Sequence, residues 1–388
     1  MNEPTPIEVD RRLASFWFQS SFRPVGWTAP ALWDDVAGNY RTKDGWVRLH
    51  TNAPHHRTAA EAMLGSHADR TGMARAVAAW NADPLEAAVV AAGGCAAALR
   101  TAEAWALHPQ GAAVAAEPLV AQSLHDAPAW AWRPERGRPL HGVRVLDLTR
   151  VLAGPVASRF LAGYGAEVLR IDPPWWTEPA IEPEMTLGKR CARLDARDPA
   201  GHKRLAALLA TADVVLHGYR PGALDGLNLG AGARRALAPG LVDVSLCAYG
   251  WTGPWSGRRG FDSLVQMSSG IAHGADEPTP LPVQALDHAT GYLMAAAALR
   301  GITRRRNTGG GTTARLSLAR TGGLLTALGP APPAPILATM QDGDFAPGLE
   351  MTAWGPLRRL RPPAKVAGAP MRWDVAAGPL GAAAPAWL

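Results

Sequence analysis

Asp287 stands in the run PVQALDHATGYLMAAAAL, where an extended segment becomes helical. Aspartate is a favoured helix N-cap, and capping alone accounts for its presence. The same place also suits chemistry. The partial positive charge of a helix start keeps a carboxylate ionised. An ionised, positioned carboxylate attacks an activated acyl carbon. Arg300, Arg304, Arg305 and Arg306 finish the helix in the sense its dipole favours. Spacing alone does not separate cap from nucleophile.

Two turns could hold an anion. TRVLAGPVAS follows the apolar run VRVLDL and contains the single glycine Gly154, then Pro155. It lacks GxGxxG, so a dehydrogenase-type pyrophosphate turn is excluded. It either presents amides to an anion at a helix start or is a plain strand-to-helix turn with proline at the first helical position. HGYRPGAL, 217–224, offers Tyr219 to stack on a base and Arg220 to meet a phosphate. A turn with a solvated arginine reads equally well there. His50, His55 and His56 lie close in sequence, yet no cysteine or carboxylate completes a metal-ligand set, and surface histidines are the better reading. Cys95, Cys191 and Cys247 are odd in number and far apart, so no disulfide framework follows. Cys247 reads as a buried thiol by default. No GxSxG elbow, HExxH or P-loop is present.

The elements that must position these residues alternate. VRVLDL (143–148), EVLRID (167–172), 191–195, DVVLH (213–217) and LVDVSL (241–246) read as strands. Helical stretches run to Gly163, from Asp198-Pro199 through Ala210, over 221–237 and over 287–306, and 314–318 reads as a further strand. Short loops between strand and helix predict an α/β fold with a Rossmann-like, mostly parallel sheet. Such a sheet binds cofactors at the carboxyl ends of its strands. Ahead of it, YRTKDGWVRLHT (40–51) predicts a hairpin around Lys43-Asp44-Gly45. Residues 55–125 read as Ala-rich helices broken at Gly93-Gly94 and His108-Pro109, and 1–39 show no clean period. Together these suggest a smaller α+β domain. Proline clusters at 126–140 and at GPAPPAP (329–335) read as linkers. The expected organisation is a small-domain-like segment 1–125, a linker 126–140, a large domain 141–328, and a Pro-rich linker with closing tail 329–388.

Length and composition bound the function. At roughly 150 residues per domain, 388 residues suggest two domains. Apolar residues make up 47% and charged residues 19%, which excludes a disordered chain. No apolar run reaches the ~18 residues of a membrane span, and MNEPTPIEVDRR has no signal-peptide core. A cytoplasmic protein without membrane partners is therefore expected. The net charge of +6 favours anionic partners. No basic stripe with interleaved aromatics points to nucleic acid, so a phosphorylated small molecule is the better reading. Fifteen tryptophans against five tyrosines supply bulk for burial.

Several ordered blocks resemble a known family. HGVRVLDLTRVLAGPVASRFLAGYGAEVLRIDPP, GKRCARLDARDPAG, ADVVLHGYRPGALDGLNL, LVDVSLCAYGWTGPWSGRRGFDSLVQMSSGIA, VQALDHATGYLMAAAALRGITRR and GGGTTARLSLART are similar to the amino-terminal half of family III CoA-transferases (CaiB/BaiF, the carnitine/formyl-CoA transferase-like group). The likeness covers 139–328. YRTKDGWVRLHTN and VVAAGGCAAALRTAEAWALHPQG resemble the smaller domain that normally follows that half, and LRRLRPPAKVAGAP…GPLG resembles the family's usual ending. The resemblance implies a member with its segments in rearranged order, which exposed linkers tolerate.

By resemblance, the chain moves coenzyme A from an acyl-CoA to a free carboxylic acid. The family's aspartate nucleophile falls at Asp287. The implied course runs through an aspartyl mixed anhydride and an aspartyl-CoA thioester, with no tightly bound cofactor or metal. Coenzyme A enters as the acyl-CoA substrate, and a homodimer is implied. The family's CoA contacts map onto Leu152, Ala153, Leu194, Arg197, Gly218, Tyr219, Arg220, Cys247 and Tyr249. Family members often carry asparagine at Gly218, arginine at Gly226 and lysine at Cys247; Arg150, Arg197 and Arg220 are the substitutes expected here. Relatives of this fold racemise 2-methylacyl-CoA with a histidine and an aspartate. That histidine falls at Phe261, in RRGFDSLV, which ranks the racemase below the transferase and leaves only His273 or His288 to replace it. A non-catalytic CoA-binding protein is the other alternative, motivated by the segment order and the thinned contacts.

Overall fold

Residues 143–148 hold no polar side chain except Arg144 and Asp147, and the strand they form, Arg144–Leu148, is buried on both faces. That is the pattern of an inner parallel strand. The computed structural model describes residues 5–329 and 337–388; the expected linker 329–335 lies, from 330 on, outside the described residues. A seven-stranded sheet runs in the order Ala121–His125, Gly311–Ser317, Val242–Cys247, Val214–His217, Arg144–Leu148, Glu167–Asp172, Lys189–Arg193. All neighbours are parallel except the first pair. After Arg144–Leu148 the chain builds outward to Lys189–Arg193, then crosses back to Val214–His217 on the other side. The strand order therefore reverses between Arg144–Leu148 and Val214–His217, the place where open α/β sheets generally bind ligands at the carboxyl ends of their strands.

Helices Ala153–Gly163 and Ala285–Thr308 pack together on one face of this sheet. Their approach needs Gly291: a Cβ there would lie 2.4 Å from the Ala153 carbonyl oxygen. Residues Gly38–Arg41, Trp46–Leu49 and Ala96–Ala98 form a separate antiparallel sheet, covered by helices Pro54–Leu64, Arg70–Val77 and Ala82–Ala91 around Val47, Leu49, Met73 and Leu85. The α/β class with a smaller α+β unit is thus the architecture observed.

The structure departs from the sequence reading at specific places. Ala96–Ala98 and Ala121–His125 are strands inside the Ala-rich stretch. Helix propensity gives way there to pairing with Trp46–Leu49 and Gly311–Ser317. The third strand is Lys189–Arg193, two residues earlier than 191–195, because its register is set by Glu167–Asp172. Residues 221–237 split into a 3-10 turn, Asp225–Leu227, and a helix, Ala231–Leu237, with Asn228 left-handed between them. Helices Asp262–Ser268 and Leu318–Leu328 were not anticipated.

The two ends of the chain meet. Ile7–Val9 pairs with Ala364–Val366, and Phe22–Pro24 pairs with Gly355–Arg359. A buried ionic node ties both to the large sheet. Glu184 accepts from the Ser21 N–H at 2.9 Å and from its hydroxyl at 2.6 Å, and it pairs with Arg159. Arg359 donates to Ser21 Oγ at 3.0 Å and pairs with Glu350 at 2.8 Å. Burial would raise the Glu184 pKa, but Arg159 and Arg359 outweigh it and hold the carboxyl below its ordinary value.

Candidate active site

A helix begins with backbone N–H groups that have no partner in the helix. In helix Ala285–Thr308 the capping position is Gln284, whose side chain makes no capping bond. Asp262, from the preceding helix, takes over. Its Oδ2 accepts from the N–H of Leu286 at 2.8 Å and of Asp287 at 3.0 Å, and its Oδ1 accepts from Gln266 Nε2 at 2.5 Å. Asp287 is the third helical residue and does not cap the helix. Its carboxylate is left to line a cavity of about 590 Å³.

The dipole argument predicts an ionised Asp287. The site sets the opposite direction. Burial, with the neighbouring charge of Asp262 added, pushes the Asp287 carboxyl well above the usual carboxylate range. Asp262 is also raised by burial, but the backbone and amide donors it collects oppose that shift. Both carboxyls are thus harder to ionise than usual, and the donors collected by Asp262 make it the more readily ionised of the two.

Four parts of the chain wall the cavity. Residues 17–34 supply one side, and Val151, Leu152 and the 176–185 turn supply another. His50 and Asn52 come from the end of strand Trp46–Leu49, while Phe261, Asp262, Asp287 and His288 form the floor. His50 stacks on Phe261 with ring centroids 3.7 Å apart, and Phe18 stacks on His288 at 4.6 Å. Burial first, then nearby arginines, push His288 down to about 4 and His50 well below its ordinary value, so both rings are neutral. Val151 has φ of 64°, a strained conformation for a β-branched residue, and its N–H donates to Glu178 Oε2 at 3.0 Å.

The residues singled out in the sequence fall into four groups. Asp287 and Leu152 line the cavity. Arg150 lies beside it: its guanidinium sits 4.9 Å from the Trp176 ring centre and 5.2 Å from that of Tyr219, and it donates to the Tyr219 hydroxyl at 3.1 Å. Gly218, Tyr219 and Arg220 continue from the strand next to that of Arg150, so the two turns singled out as anion-binding candidates meet at the strand-order reversal. Arg197 is exposed, pairs with Asp195 at 3.0 Å and covers Trp175 at 3.9 Å. Ala153, Leu194, Cys247 and Tyr249 are packed inside. Burial pushes the Cys247 thiol and the Tyr249 hydroxyl up to about 12. His50 and His56 are buried, which corrects the surface reading; His55 is exposed.

Sequence reasoning missed Asp262, His50 and the aromatic wall of residues 17–34. Asp262 sits next to Phe261 in RRGFDSLV, and an acidic residue ahead of a helical stretch was the available signal. Nothing local marks His50 or Trp33 as cavity residues, because tertiary packing alone brings them to Asp287. Among the described residues, no cluster of three or more His, Cys, Asp or Glu side chains is placed to hold a metal. None of the described helices is long and apolar enough to cross a membrane.

The profile of CoA-transferase family III matches residues 140–333. A protein of Mus musculus named succinyl-CoA:glutarate CoA-transferase is 36% identical over 191 residues, which is 45% of this chain and 44% of that protein. The succinyl-CoA–D-citramalate CoA-transferase of Chloroflexus aurantiacus is 32% identical over 191 residues, 45% of this chain and 48% of that protein. The crystal structure of a CAIB/BAIF family protein from Brucella suis is 27% identical, with a TM-score of 0.46 over 57% of this chain and 65% of that one. The chain spans about half the length of the curated relatives it matches.

Proposed function

The chain belongs to CoA-transferase family III, and we propose that it moves coenzyme A from an acyl-CoA to a free carboxylic acid, with Asp287 as the nucleophile. One observation carries this reading. Asp262 takes over the capping of the helix, and the Asp287 side chain is left facing a cavity.

The course follows from a carboxylate meeting a thioester. Asp287, once deprotonated, attacks the acyl carbon; the C–S bond breaks, CoA thiolate leaves, and a mixed anhydride remains. The thiolate attacks the aspartyl carbonyl, the donor acid departs as its carboxylate, and an aspartyl-CoA thioester forms. The acceptor carboxylate attacks that carbonyl and expels the thiolate, giving a second anhydride. Thiolate attack on the acceptor's acyl carbon releases the new acyl-CoA and restores Asp287. Similar bonds are exchanged throughout, so the protein's work is to hold the partners in place and exclude water. Arg150, Tyr219 and Arg220 at the strand-order reversal are the residues proposed to meet the nucleotide end of coenzyme A. A homodimer is part of the proposal. So is the rearranged segment order, which the pairing of the chain's two ends supports.

The test is chemical trapping. The protein is incubated with a panel of acyl-CoA donors and quenched with hydroxylamine, and the peptide bearing Asp287 is weighed. A hydroxamate at Asp287, absent in Asp287→Asn, is the expected result. No adduct with any donor leaves a CoA-binding protein without transfer.

A second reading, proton exchange at the acyl α-carbon, is favoured by one observation. His50 stacks on Phe261, so an imidazole stands beside the position where the racemase histidine would fall, in the same cavity as Asp287. Solvent deuterium entering C2 of a 2-methylacyl-CoA without acyl transfer would select it.

A further inference from the structure

The cavity at Asp287 is walled by aromatic and aliphatic side chains, among them Phe18, Phe22, Leu32, Trp33, Trp176 and Phe261. Among the described residues, no lysine or arginine lines it. Two arginines near the cavity stand behind rings. Arg48 lies 4.8 Å from the Trp33 ring centre with Nη1 donating to Asn39 at 2.8 Å, and Arg150 lies 4.9 Å from the Trp176 ring centre. His50 and His288 reach the cavity uncharged.

Three carboxylates in the wall are already matched on their far sides, and Asp262 and Asp287 add further negative or acidic groups. Asp34 pairs with Arg57 at 2.9 Å, while Glu184 pairs with Arg159 and Glu178 with Arg170. A charged group on an acyl chain entering this space would give up water and meet rings, like charges and a few neutral polar side chains such as Gln19, Asn52 and Gln284, but no cation. Burying an unpaired carboxylate is costly, and like charges nearby add to the cost. An aryl or branched alkyl group would instead exchange water for ring faces and edges. The volume of about 590 Å³ is ordinary for a small-molecule pocket, for which roughly 300–1,000 Å³ is usual.

We propose that this cavity selects acyl groups without a second charge, meaning aryl and branched-chain carboxylic acids, and discriminates against dicarboxylic ones. The inference rests on the CoA-transfer reading of Asp287. It separates this chain from the relatives whose names specify succinyl-CoA with glutarate or citramalate.

The test does not depend on turnover. Thioether analogues of acyl-CoA carrying a benzyl, an isopentyl or a carboxypropyl group are titrated against the full chain by calorimetry. The benzyl and isopentyl analogues are expected to bind at least about 10-fold more tightly than the carboxypropyl analogue. Equal affinities, a reversed order, or no gain over coenzyme A itself would overturn the proposal. Leu32→Arg, on an exposed part of the wall, places a cation where none stands. It should narrow the ratio in favour of the carboxypropyl analogue, and an unchanged ratio would overturn the claim that a missing cation sets the selectivity. The hydroxylamine trap, run in parallel, reports on transfer chemistry alone, so a failure there is distinguishable from a failure of selectivity.

Discussion

The Asp262 carboxylate accepts the backbone N–H of Asp287 at 3.0 Å, and the two acidic residues divide one helix start between them. Asp262 satisfies the N–H groups, while Asp287 lines the cavity with its pKa raised by burial and by Asp262. As the proposed nucleophile, Asp287 would attack more strongly once ionised than an ordinary carboxylate, because its affinity for protons is high.

The rate of aspartyl adduct formation should therefore depend on pH. In the proposed mechanism Asp287 attacks only as the anion, and its pKa lies above the usual carboxylate range. Single-turnover release of CoA should be slow at about pH 5 and rise with pH as Asp287 loses its proton. A rate flat from about pH 5 to 9 would contradict the assignment. Asp287→Asn should lower the rate by about 10³-fold or more at every pH.

Asp262→Asn keeps an acceptor for the helix N–H groups and removes the charge that repels ionisation of Asp287. The rising limb of the pH–rate profile should move to lower pH. Asp262→Ala loses the acceptor as well, at a cost of about 1 kcal/mol in stability. Stopped-flow profiles and urea titrations of the two variants separate the electrostatic contribution from the capping one.

Stability should carry the same signature with a definite sign. The folded Asp287 pKa is raised above the unfolded value, so the folded state holds a proton that the unfolded state releases. This contribution is fully present below the unfolded pKa and is lost as pH rises through the folded one. Asp287→Asn removes that loss. Its Tm should exceed that of the wild type at about pH 8, and the difference should shrink towards about pH 4. Equal pH dependence in the two proteins would rule the raised pKa out.

Glu184 joins Ser21, Arg159 and Arg359, which belong to the first segment, the large sheet's covering helix and the tail. Glu184→Gln leaves Arg159 buried without its counter-charge, and a loss of about 3–5 kcal/mol is expected in urea unfolding. Combining it with Arg159→Met should recover part of that loss, since both charges are then gone.

Gly291 lies one turn beyond Asp287 where helix Ala285–Thr308 crosses helix Ala153–Gly163. A Cβ would lie 2.4 Å from the Ala153 carbonyl oxygen and 2.8 Å from Val156 Cβ. Gly291→Ala should cost about 1–3 kcal/mol and move Asp287 with its helix, lowering the adduct rate as well as Tm. Gly301→Ala crowds Val242 Cγ1 at 2.5 Å, far along the same helix. It should lower Tm while leaving the adduct rate at the wild-type value.

The sequence by itself determined the parallel half of the fold and the helix that carries Asp287. Runs such as VRVLDL and EVLRID, with Asp198-Pro199 opening a helix between strands, are local signals, and the elements they specify appear within two residues of their expected places. Tertiary structure decided that Asp287 is not the helix cap. Its side chain could be cap or nucleophile until Asp262, from another helix, took the N–H groups. The fold also brought His50 onto Phe261 and residues 17–34 over the cavity, and it raised the Asp287 pKa where the helix dipole alone would lower it. Capping propensity, strand pattern and helix dipole are short-range and can be read along a chain. Desolvation and like-charge repulsion depend on which distant residues close over a group, and no spacing in the sequence records that.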